Sequence, residues 1–78
     1  MEGTITMWRN SFGFIRVASG RDYFCHIKNW EENTVPPAPG LAVLFELGPG
    51  VKGRKEQAVN VRILRVVNAG ADALKAGV

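Results

Sequence analysis

Ser11-Phe12-Gly13-Phe14-Ile15, followed after a short connector by Asp22-Tyr23-Phe24-Cys25-His26-Ile27, is the stretch on which the fold turns. Side chains alternate along a strand, so Phe12 and Phe14 share one face of a first strand, and Phe24 and His26 share one face of the next. Ile15 and Val17, with Tyr23, Cys25 and Ile27, then point the other way. Folded as a hairpin, the pair gathers four π-faces on one surface and an aliphatic set on the opposite side. A sheet face exposed to water is normally polar, so apolar groups on both faces need a reason. One face is then a core and the other a platform on which bases stack. The competing reading is a two-layer core with Phe12 and Phe14 buried, but 78 residues leave little chain to cover a second face. Gly13 suits the tight space between Phe12 and Phe14, where a side chain would crowd the interior. Ala18-Ser19-Gly20-Arg21 supplies the hairpin connector, with Gly20 able to take a positive φ.

Working outward, Gly3 to Trp8 alternates Thr4, Thr6 and Trp8 against Ile5 and Met7 and reads as a first strand. Arg9-Asn10 turns it into a second strand from Ser11 to Ala18, and a third runs from about Arg21 to Ile27. A long connection, Lys28 to Gly40, carries Trp30, Glu31, Glu32 and the breaker run Pro36-Pro37-Ala38-Pro39-Gly40. Leu41 to Leu47 is a fourth strand, Gly48-Pro49-Gly50-Val51-Lys52-Gly53 a loop, and Gln57 to about Val66 a fifth strand. Five short strands with no helical periodicity between them, and a long gap after the third, predict an all-β, five-stranded antiparallel Greek-key barrel of the OB type. The barrel occupies residues 1–66. Residues 67–78 form an alanine-rich tail that Asn68 would cap as a short helix and that Gly70 and Gly77 weaken.

The chain has ten Lys and Arg against seven Asp and Glu, a net charge of +3. Placement is more telling than the total. Arg9, Arg16, Arg21 and Lys28 lie in or beside the aromatic hairpin, and Lys52, Arg54 and Lys55 share the glycine-rich loop. Basic residues interleaved with stacking aromatics suit a binder of single strands. At 46% hydrophobic and 22% charged residues the chain is globular, and no apolar run nears the roughly 20 residues of a membrane span. The lone Cys25 points to a reducing, cytoplasmic setting and to an ordinary core role. It neighbours His26 on the opposite strand face, which argues against a shared metal ion. No cofactor is expected. The acids are scattered, so the chain is not read as an enzyme.

Phe12-Gly13-Phe14-Ile15 resembles the first ribonucleoprotein motif of the cold-shock domain family. Asp22-Tyr23-Phe24-Cys25-His26 resembles the second, and Lys52-Gly53 with Gln57-Ala58-Val59-Asn60-Val61 is similar to the family's closing strand. The resemblance covers about residues 2–64. It implies a barrel that binds single-stranded RNA and DNA with little sequence preference, acting as an RNA chaperone or as a regulator of transcription or translation. It also implies base stacking by Phe12, Phe14, Phe24 and His26. The first loop, Met7-Trp8-Arg9-Asn10-Ser11, is shorter than in bacterial members and lacks their lysines. In this it is similar to the domains found in tandem in the upstream-of-N-ras protein. Weaker binding than that of a bacterial cold-shock protein is expected.

The remaining site candidates divide by position. Trp8 shares parity with Thr4 and Thr6 and is placed on the binding face, although, counted from Gly3, it stands one residue later than the family's tryptophan. Arg9 replaces the missing lysines as a phosphate contact, and Lys52, Arg54 and Lys55 form an electrostatic rim. Trp30 either plugs the barrel end or stacks on a base from the long loop. A rival reading makes the aromatic patch a docking surface for a protein or a second copy, helped by the tail; a monomer is the expectation.

Overall fold

The computed structural model describes residues 1–50 and 56–65. Five strands are present: β1 (Glu2–Arg9), β2 (Phe12–Arg16), β3 (Asp22–His26), β4 (Ala42–Pro49) and β5 (Glu56–Ile63). They close into a barrel in the order β1-β2-β3-β5-β4. Neighbours are antiparallel except at the closure, where β3 meets β5 in parallel at Phe24 and Gln57. The strands expected from the sequence are all found, each with its ends shifted by up to a few residues. A 3-10 turn, Ile27–Asn29, opens the long connection and was not expected. The tail 67–78 and the loop residues Lys52, Arg54 and Lys55 lie outside the described residues.

Two short turns set up the face. Arg9 pairs with Phe12, so the first turn is the two residues Asn10 and Ser11. Asn10 adopts φ 43°, a left-handed conformation its short amide side chain tolerates. In the second turn Gly20 donates to the Val17 carbonyl at 2.9 Å, and its φ of 93° is open to glycine at no steric cost.

The core is one cluster: Ile5, Ile15, Tyr23, Cys25, Val43, Phe45, Ala58 and Val61. Of the inward set expected of the hairpin, Ile15, Tyr23 and Cys25 are in the core and Val17 packs against it half-buried, whereas Ile27 opens the 3-10 turn and is not part of the cluster. Each large aliphatic or aromatic member contributes about 1.5–3 kcal/mol by leaving water. Two bulges adjust which residues face in. On β1 the register with β2 shifts between Ile5 and Met7, leaving Thr6 as the extra residue. On β5, Val59 pairs with Glu46 and Arg62 with Leu44, so Asn60 and Val61 together oppose Phe45. Asn60 sits at φ 53° there, and its side-chain amide donates to Glu46 Oε1 at 2.9 Å. The extra residue lets both Ala58 and Val61 point inward, three positions apart, against strict alternation.

The long connection is stapled across the barrel end. Trp30 bridges Val61, and the Glu31 N–H donates to the Val61 carbonyl at 2.8 Å. Glu32 accepts from the Ile63 N–H at 2.7 Å and from both terminal nitrogens of Arg65 at 2.9 Å. Those bonds hold the Glu32 carboxyl below the usual carboxylate range, the Arg65 contact first and the Ile63 N–H second.

Candidate nucleic-acid interface

Residues directly opposite one another in an antiparallel pair put their side chains on the same face. Phe12 pairs with His26, and Phe14 with Phe24. All four are half-buried on the outward side of the β2–β3 hairpin. The Phe12 and Phe24 rings stack with centroids 5.7 Å apart and planes 25° apart. Phe14 meets Phe24 edge to face at 5.9 Å and 72°. Contacts of this geometry hold the rings in a fixed relative orientation on the outward side of the hairpin. Phe12, Phe14, Phe24 and His26 thus share one face, as the alternation in the sequence predicts.

His26 is held as well as placed. The Lys28 N–H donates to His26 Nδ1 at 3.1 Å, capping the 3-10 turn. A backbone N–H can only donate, so Nδ1 serves as the acceptor that fixes the ring's orientation. Cys25, next along β3, is fully buried behind the face. Burial pushes its thiol up to about 11, away from any ionised role near neutrality.

Charge is distributed unevenly along the face. Arg9 is exposed, in register with Phe12 and so in the same row as His26. Among the described residues it forms no ion pair. At the other end Arg16 pairs with Asp22. Its Nε and Nη2 donate to the two carboxylate oxygens at 2.9 and 3.1 Å. Arg16 is therefore occupied, whereas Arg9, Arg21 and Lys28 form no ion pair among the described residues.

Trp8 departs from the expectation. Because Thr6 is bulged, parity changes along β1, and Trp8 pairs with inward-facing Gly13 instead of falling in step with Thr4 and Thr6. A Cβ built on Gly13 would collide with the Trp8 indole and with the Met7 carbonyl. The indole thus occupies the space that glycine leaves free, and Gly13 is needed for Trp8, not for Phe12 and Phe14. Trp8 packs on the core beside Trp30, with ring centroids 6.3 Å apart. Trp30 donates its indole N–H to the Val35 carbonyl at 2.9 Å. Of the two readings left open for Trp30, the geometry is that of a barrel-end plug. The two tryptophans form one wedge there, distinct from the phenylalanine face.

The apolar residue that β1 adds to the aromatic face beside Arg9 is Met7, opposite Phe14 and half-buried. Sequence reasoning passed over it as the alternate of Trp8. The usable signal was the spacing from Gly3, which sets Trp8 one residue too far along. One row, Met7–Phe14–Phe24–Gln57, runs across four strands.

By sequence the chain matches no protein-family profile and no curated protein. By structure it is similar to cold-shock domains 4–6 of Drosophila Unr, with a TM-score of 0.63 over 82% of the chain. The fold is that of a cold-shock domain. Identity over the match is 22%, and the chain spans 26% of the length of that Unr structure. The cold-shock fold accounts for the barrel order and for a hairpin whose outward face is formed by β2 and β3. No helix among the described residues is long and apolar enough to cross a membrane.

Proposed function

We propose that the chain is a passive binding module for single-stranded RNA and DNA, with low sequence preference and no bond-making step of its own. The observation that carries this reading is the outward row of half-exposed rings, Phe12, Phe14, Phe24 and His26, with unpaired Arg9 at one end. Its resemblance in fold to the domains of Unr supports it. Unstacked bases would lie on the rings while phosphates run outward past Arg9. Every base has a π-face, so such a platform discriminates little between them. Duplex bases are already stacked and are not available to it. A reversible trap for unpaired stretches acts as an RNA chaperone or as a regulator of transcription or translation, in the cytoplasm and as a monomer.

Anisotropy of a labelled oligothymidine or oligouridine reports strand binding directly. At about 1–3 kcal/mol per stacked base, the Phe14→Ala, Phe24→Ala double variant should bind at least about tenfold more weakly than wild type. Its circular dichroism should stay that of a barrel. Equal binding by the folded variant would reject the platform. It would favour instead a protein-docking role for the patch, which light scattering with and without the tail would then examine.

A further inference from the structure

Three side chains carry sulfur, namely Met1, Met7 and Cys25, and their settings differ sharply. Cys25 is fully buried inside the barrel. Met1 is 50% exposed and lies beside β4, where its backbone bonds to Phe45. Met7 alone sits on the aromatic face. The bulge at Thr6 brings it opposite Phe14, which is opposite Phe24, and it is half-buried, so part of its surface meets solvent. Opposed residues in such a pair have Cβ atoms about 4.5–5.5 Å apart, within reach of a methionine thioether. Sulfur packs favourably on π-systems, and methionine's three rotatable bonds let it follow a base that shifts.

We propose that Met7 is the apolar β1 contact of the binding face and that its oxidation by a hydroperoxide weakens strand binding. This rests on the function proposed above. In the step, the thioether sulfur attacks the distal peroxide oxygen and the O–O bond breaks as the S–O bond forms. Sulfur is oxidised to the sulfoxide, and the peroxide is reduced to water or an alcohol once the leaving oxygen takes up a proton. An apolar, flexible contact becomes a polar group with a strong acceptor, set among rings and facing an anionic ligand. Wrapping two tryptophans into the barrel end leaves β1 with this softer residue on the face. The same substitution makes the face responsive to oxidation, which phenylalanine and histidine alone would not.

The test treats the full chain with hydrogen peroxide, locates the added oxygen by peptide mass, and compares oligothymidine affinity before and after. Met7 sulfoxide should raise Kd by roughly three- to tenfold, with reversal by methionine sulfoxide reductase. The Met7→Leu variant should show no change in Kd on peroxide treatment, although its Met1 still oxidises. Unchanged binding by protein carrying Met7 sulfoxide would overturn the inference, as would an equal peroxide loss in Met7→Leu. Failure of Met7 to oxidise where Met1 does would overturn it too, as would a loss of binding that accompanies loss of the barrel's circular dichroism. The Phe14→Ala, Phe24→Ala variant separates the two readings. If it binds like wild type, the stacking platform fails and Met7 with it. If it loses binding while oxidised wild type does not, only the role of Met7 falls.

Discussion

Gly13 is the residue on which the hairpin and the wedge behind it both depend. Any side chain there must displace both the Trp8 indole and the Met7 carbonyl. The carbonyl belongs to the backbone of the bulged strand and yields little. Gly13→Ala should therefore cost about 1–3 kcal/mol, as overpacking commonly does, read as a lower midpoint in urea at unchanged slope. A midpoint equal to wild type would mean that Trp8 swings out freely and that the wedge is not packed as described. Trp8 itself shows why one residue's parity was misread. Alternation is a local rule, and one inserted residue at Thr6 reverses it for everything that follows.

Among the elements, the long connection is the least regular and the most firmly tied. Glu32 accepts from a backbone N–H and from a bidentate guanidinium, and its side chain is only 10% exposed. Its folded-state acidity is raised by those bonds, so its pKa lies below the unfolded value. A group shifted that way stabilises the fold above its unfolded pKa, about 4.3 for a glutamate, and loses the contribution as pH falls through the folded value. Glu32→Gln should accordingly lower the thermal midpoint at pH 7. The gap to wild type should close as pH is taken below about 4. A gap that persists undiminished at pH 2 would show that the carboxylate charge is not what holds the connection. The prolines and acids of this segment identified it as a loop. They did not reveal the clamp, because Glu32 and Arg65 are 33 residues apart and meet only once the barrel closes.

For the molecule as a whole, charge and apolar surface make opposite contributions on one face. Arg16 is taken by Asp22, while Arg9 forms no ion pair among the described residues, and the sequence adds Lys52, Arg54 and Lys55 before β5. Two to four neutralised phosphates would then give a slope of log K against log salt of about −1.4 to −2.8 for a single strand. Titrations at several salt concentrations read that slope directly. A much steeper one would place the binding energy in charge rather than in stacking and would reverse the ranking of Phe14 and Phe24 over the basic residues.

The parallel closure of β3 on β5 was not legible in the sequence, whereas the five strands and the aromatic hairpin were. Each of these follows from local alternation and turn chemistry: Phe12 and Phe14 with Phe24 and His26 outward, Ile15 and Cys25 inward, Gly20 at positive φ. The effect of the two bulges emerges only when the strands pair. Closing five short strands into a barrel bends and staggers them, and the extra residues at Thr6 and at Asn60–Val61 absorb the mismatch. That geometry exchanged Trp8 for Met7 on the face, paired Trp8 with Trp30 at the barrel end and turned Ala58 and Val61 inward together. Parity along a chain predicts a face only while the register holds, and the register belongs to the pairing of strands rather than to either strand alone.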